Sequence, residues 1–267
     1  MNLVLLFRTW RAQLGKVVLI AAVSTAWGWL MPFFYSQFSG MLRELAKQNP
    51  LFGQLSNFGS GSILTLPGTI TLGMQHPFAI ALISVFGVGV AALAIAGERQ
   101  SGTLEVLLAR PIPRRTLLIT IWVALLVLVA AVVAGLVGGM VIGAITQDLL
   151  GELALGQMPL VWLNGLLLWT GFLSFSLAMS ATFDRSGPAI GLSLAFLLIN
   201  YFLEILGSLW ADAAWTQEYS LFHHFQPSEI LAGKADPFDF VLLVFVISIP
   251  LAYALLLFPR RDLAAPA

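Results

Sequence analysis

Few side chains in this 267-residue sequence could do chemistry, and their types and spacing limit what that chemistry is. Cysteine is absent, which excludes disulfides, cysteine-ligated metals and thiol nucleophiles. The histidines are His76, His223 and His224. Adjacent histidines point to different faces of a helix, and no carboxylate–histidine spacing outlines a closed metal site. His76, followed by Pro77, reads as a helix start. No G-x-x-x-x-G-K-[ST] cradle for nucleotide phosphates occurs, and neither does a Ser-His-Asp or paired-carboxylate constellation. The expected catalytic residues and metal ligands are therefore none, and the chain is expected neither to hold a cofactor nor to hydrolyse ATP itself.

Two other places put polar groups in apolar company. Residues 97 to 115 read GERQSGTLEVLLARPIPRR, four arginines and two glutamates within nineteen residues. Glu204, in NYFLEILGSLW, sits inside an apolar run. What each can do depends on the elements that carry it.

Those elements follow from composition. The chain is 59% hydrophobic and 10% charged, with a mean hydropathy of +0.92, whereas a soluble domain is about a quarter charged. Apolar runs near twenty residues, the length that crosses about 30 Å of hydrocarbon as helix, recur six times, at about 17–35, 77–96, 117–145, 160–182, 188–210 and 240–258. The reading is an all-α integral membrane protein, one multi-pass domain over 1–267. The first run is too long and too bulky at its end, with Trp27, Trp29, Phe33 and Phe34, for a cleaved leader.

Orientation follows from the basic residues. With six spans, Arg8, Arg11, Lys16, Arg99, Arg110, Arg114, Arg115, Arg185, Arg260 and Arg261 fall on one side, and only Arg43, Lys47 and Lys234 on the other. Ten against three predicts both termini in the cytoplasm and an inner, plasma-membrane location. Residues 1–15 carry Leu3, Phe7, Trp10 and Leu14 at helical spacing with Arg8 and Arg11 off that stripe. That pattern predicts a separate helix lying in the interface against membrane lipid; the alternative is an extension of the first span. The loop from Ser36 to His76, with GSGS at its centre, is too short for a substantial domain of its own.

Stretch 97–115 then falls between spans two and three. Its spacing predicts a short amphipathic helix over about 98–109, with Leu104, Leu107 and Leu108 on one face and Glu98 and Glu105 two turns apart. Pro111 and Pro113 end it. Leucines exposed on such a knob need cover, which predicts a docking surface. Gly102 is either a break or a point of close approach; inside so short a helix it costs about 1 kcal/mol relative to alanine, so its expected use is close approach of another backbone. Arg114 and Arg115 are expected to fix topology without partners.

The pattern E-x-x-x-G-T-L-E-x-L-L-x-x-P-x-x-R, here Glu98, Gly102, Thr103, Leu104, Glu105, Leu107, Leu108, Pro111 and Arg114, resembles the signature of permease subunits of type-2 ABC exporters. A closing F-x-R-R-D-L, as Phe258, Arg260, Arg261, Asp262 and Leu263, and the segment YSLFHHFQPSEILAG are similar to the same family. The resemblance implies that 98–109 is a coupling helix seated in a cleft of a separate ATPase subunit. It also implies re-entrant helices at about 211–238, a pathway formed with a second permease copy or a related permease, two ATPase subunits, and ATP and Mg bound there. No nucleic-acid partner is expected.

Gly135, Gly139 and Gly143 recur every four residues in span three, a stripe that admits another helix closely. Packing within one subunit is the expected use. Glu204 lies sixteen residues past Pro188, about 24 Å up its helix. It is a candidate pathway or gating residue with Asn200; its other reading is a carboxylate reaching outer-leaflet water or pairing with Asn200. Pro32 and Pro250 can kink their helices. An ion-gradient-driven secondary transporter or channel is the alternative function, but it calls for ionisable groups near mid-membrane and repeated halves, and only Glu204 qualifies.

Overall fold

The computed structural model describes residues 2–49, 57–58, 61–109 and 112–261. Helix α1 runs without interruption over Leu3–Gln48, capped by the Asn2 side chain, which accepts from the Leu5 N–H. A two-residue hairpin pairs Asn57–Phe58 with Gly61–Ser62. Helix α2 is Leu66–Gln75, and α3 is Pro77–Leu93 with a π turn over Val85–Val90. Two short helices follow, α4 at Ala96–Gln100 and α5 at Leu104–Leu108. Then come α6 at Arg114–Thr146, α7 at Met158–Thr182 and α8 at Ser186–Leu209. Short 3-10 segments at Ala211–Tyr219 and Leu221–His224 lead to the one-turn α9 at Pro227–Leu231 and to α10 at Pro237–Arg260.

Five helices, α1, α6, α8, α10 and α7 with its leading turn, are long and apolar enough to cross a membrane. The sixth candidate is the pair α2 and α3, bent by 48°. The bend sits at His76, whose extended backbone (φ −67, ψ 141) is what a residue before proline adopts. Helix α7 is the axle of the bundle: Leu168, Trp169, Phe172, Leu173 and Leu177 are all fully buried. Gly87, in the π turn of α3, faces it closely enough that a Cβ would lie 3.2 Å from the Trp169 ring. Helices α8 and α10 expose rows such as Leu198, Ile199 and Phe202, or Val241, Phe245 and Ile249. Such rows would be untenable in water and suit lipid or a second apolar surface.

Helices α1 and α6 run parallel and in step. The Trp10 indole N–H donates to the Ala124 carbonyl at 3.1 Å, Gly135 lies on Ala21, Gly139 on Thr25 and Gly143 on Trp29. A Cβ on Gly135, Gly139 or Gly143 would fall 2.8, 2.1 or 2.7 Å from those backbone oxygens. The glycine stripe packs against α1 of the same chain.

Three expectations need correction. The N-terminal fifteen residues are not a separate element but the first turns of α1; nothing around Gly15 interrupts the helical bonding. Leu3, Phe7 and Leu14 still face outward, while Trp10 turns toward α6. The helix of the first span does not stop near Tyr35 but continues through Pro32 and Gly40 to Gln48. The single helix expected over 98–109 is two, broken at Gly102.

Residue 2, the segment joining α3 to α6, the turn between α7 and α8 and residue 261 gather at one end, the basic end. Arg43, Lys47, the 3-10 segments and α9 occupy the other. At that other end residues 211–231 fold back onto the bundle and bury Phe222 and Phe225.

Candidate functional site

The segment joining α3 to α6 is built on a glycine. Gly102 has φ +72, a left-handed conformation that costs a residue with a Cβ but not glycine. Its N–H donates to the Arg99 carbonyl at 3.0 Å, and the Thr103 N–H to the Glu98 carbonyl at 2.9 Å. This is the Schellman arrangement that ends α4. The Thr103 hydroxyl also donates to the Glu98 carboxylate, and Ser101 Oγ lies 2.9 Å from Thr103 Oγ1. Among the described residues, no atom beyond its chain neighbours lies within 4 Å of a Cβ built on Gly102. Within this chain Gly102 thus serves as a helix break, not as a site of close approach.

The break divides the motif between two surroundings. Leu104 is 3% exposed and packs into the bundle core, whereas Glu105 is exposed and Val106 is 67% exposed. The shared face expected of Glu98 and Glu105 does not survive the break. Leu107 and Leu108 are helical in backbone, but their side chains lie outside those described, and Arg110 and Pro111 lie outside the described residues.

The segment is fastened to three other elements. Ser180 Oγ of α7 accepts from the Ile95 and Ala96 N–H groups at 2.9 and 3.0 Å. The Gln100 side-chain oxygen accepts from the Ser186 N–H at 2.9 Å. Asp184, in the turn between α7 and α8, takes Arg99 and Arg261 on one oxygen. Arg99 Nη1 approaches it at 2.8 Å off the N–H axis, a charge contact, while Arg261 donates a hydrogen bond. Arg261 also donates to the Ala181 carbonyl at 2.7 Å. Arg114, expected to need no partner, donates to the Arg261 carbonyl at 2.7 Å and the Pro259 carbonyl at 3.3 Å, closing the end of α10. Arg115 is exposed. Asp184 was missed in the sequence; its signal was to be one of few acids on the side that collects ten of the thirteen basic residues. Phe258 of the closing motif is fully buried, and Asp262 and Leu263 lie outside the described residues.

Glu204 and Asn200 form a second polar cluster, under the folded-back segment. Glu204 is 4% exposed, and its Oε1 accepts from Gln217 Nε2 at 2.9 Å. It does not pair with Asn200. The Asn200 side chain donates to the Phe196 carbonyl at 2.8 Å and accepts from the Leu221 N–H at 2.9 Å. Ser220 Oγ donates to the Asn200 carbonyl at 2.9 Å, and Thr216 Oγ1 to the Leu203 carbonyl at 3.0 Å. Gly207 lets Gln217 in: a Cβ there would meet Gln217 Cγ at 2.4 Å. The segment is thus strapped along one face of α8.

The histidines have structural partners. His224 Nδ1 lies 2.7 Å from Asp239 Oδ1, and Asn164 holds the neighbouring backbone by donating to the His224 carbonyl and accepting from the Gln226 N–H. His76 Nδ1 accepts from the Phe78 N–H at 3.2 Å, which starts α3. Among the described residues no group of three or more His, Asp or Glu is placed to hold a metal ion.

Against known proteins, the family model for ABC-2 family transporter proteins matches residues 7–263. No curated protein matches the chain.

Proposed function

The chain belongs to the ABC-2 family of transporter proteins, and from that premise we propose that it is the permease subunit of an ATP-driven exporter. Two copies, or one copy with a related permease, enclose the pathway. Two separately encoded ATPase subunits bind the ATP and Mg. The basic end faces the cytoplasm and carries both termini, in accord with the ten basic residues expected there.

The observation that carries this reading is the division of labour across Gly102. Leu104 anchors the segment in the bundle while Glu105 and Val106 project from it. Arg99, Asp184 and Arg261 tie its root to the α7–α8 turn and the end of α10. A push on α5 by a closing ATPase is thereby delivered to three helices instead of bending one loop. At the far end, Glu204 and Asn200 hold the folded-back segment on α8 and act as its gate latch.

The test is co-purification with the cognate ATPase. Glu105→Arg reverses the charge of an exposed position, so it is expected to leave membrane insertion and yield unchanged while cutting ATPase association and transport-coupled ATP turnover at least about tenfold, the scale of one reversed interfacial charge. Unaltered association and turnover remove the docking role.

A further inference from the structure

At the basic end a cavity of about 210 Å³ opens between the first turns of α1, the end of α3 and the first half of α6. That is many times the roughly 10–15 Å³ that one water needs on the same measure, and it has room for a small polar group. Leu117, Ile121 and Leu125 of α6 form an apolar wall, and the polar lining is Thr9, whose hydroxyl is spent on the Leu5 carbonyl at 3.0 Å, with Arg8, Gln13 and Glu98.

Each of those three groups has unspent capacity. The Gln13 side-chain oxygen is buried without a hydrogen bond, which is costly for an amide acceptor. Arg8 is exposed and has no hydrogen-bond or ion-pair partner among the described residues. One Glu98 carboxylate oxygen holds Thr103, leaving the other available. Arg8 and Glu98 line the same cavity without pairing with each other. A cation and an anion kept apart in one cavity, with a lone acceptor beside them, fit a ligand that carries both charges and has N–H to donate.

We propose that this cavity binds the headgroup of a zwitterionic amino-phospholipid, phosphatidylethanolamine, with its phosphate on Arg8 and its ammonium shared by Gln13 Oε1 and Glu98. The described lining is neutral overall, with Arg8 against Glu98, which disfavours a purely anionic lipid. A choline headgroup cannot satisfy Gln13, having no N–H, and no aromatic ring is among the described lining residues to receive a quaternary ammonium. The acyl chains extend into the surrounding bilayer. Because Glu98 also holds Thr103 across the Gly102 turn, the bound headgroup braces the segment that α4 and α5 form. The site depends on the protein spanning a membrane and not on its partnership with an ATPase.

The experiment uses the full-length chain alone, in nanodiscs of equal parts phosphatidylethanolamine, phosphatidylcholine and phosphatidylglycerol, with retained lipid counted by native mass spectrometry during graded delipidation. The wild type is expected to retain phosphatidylethanolamine over phosphatidylcholine by about tenfold, the scale of one charge-assisted hydrogen bond. Gln13→Leu is expected to bring that ratio to about one, and Gln13→Glu, which restores an acceptor, to return it. Equal wild-type retention of the two lipids, or preference for phosphatidylglycerol, overturns the proposal, and neither result depends on how a variant folds. Soluble phosphoethanolamine in excess is expected to leave the lipid in place; displacement by it would assign the cavity to a soluble amine phosphate instead.

Discussion

Arg99 lies 2.8 Å from Asp184, and through that contact the segment between α3 and α6 is joined to the turn between α7 and α8. Arg261 reaches the same carboxylate from the end of α10. One aspartate thus links three parts of the chain that are more than seventy residues apart in sequence.

Asp184→Asn tests that junction. Asp184 is 57% exposed, so water and salt screen it, and each pair is worth at most about 1 kcal/mol. The thermal midpoint is expected to move little, while amide exchange across 96–108 quickens several-fold. In the wild type, 1 M salt is expected to produce part of the same effect, since the screening length there is about 3 Å. Unchanged exchange in both cases means the junction holds nothing.

Gly102→Ala tests the turn. The left-handed backbone is expected to cost about 1 kcal/mol with no steric clash, because a Cβ there meets nothing within 4 Å among the described residues beyond its chain neighbours. Insertion and overall melting should persist while ATPase association falls. Association equal to wild type would show that the angle between α4 and α5 is immaterial.

Gly139→Ala and Gly138→Ala are neighbours with opposite expectations. At 139 the new methyl would sit 2.1 Å from the Thr25 carbonyl oxygen, and at 138 it meets nothing within 4 Å. The first is expected to destabilise by about 1–3 kcal/mol as overpacking, and the second to be neutral or to gain up to about 1 kcal/mol of helix propensity. Melting in detergent measures both, and equal midpoints would contradict the parallel contact of α1 and α6.

Glu204→Gln keeps an oxygen for Gln217 to bond and removes only the charge. Transport is expected to fall more than yield. Glu204→Leu removes that bond as well, and its effect combined with Gln217→Leu should be non-additive, because the two side chains share one hydrogen bond. Full additivity would place Glu204 outside the latch.

Much of this protein was legible in its sequence because the relevant physics is local. Apolar runs announced the membrane segments, since backbone polar groups in hydrocarbon must be satisfied within each helix. The four-residue glycine spacing announced a close helix contact, because such positions share one face. Gly102 and its neighbours marked the short helical segment between α3 and α6. Chain-remote geometry decided the rest. Only the folded chain showed that Gly135, Gly139 and Gly143 meet α1, that Leu104 turns inward while Val106 turns outward, that Arg114 closes α10, and that Glu204 is bonded to Gln217 and not to Asn200. The reason is physical: periodicity fixes which residues share a face, but which face meets which helix depends on how whole helices pack, and no short window of sequence contains that information.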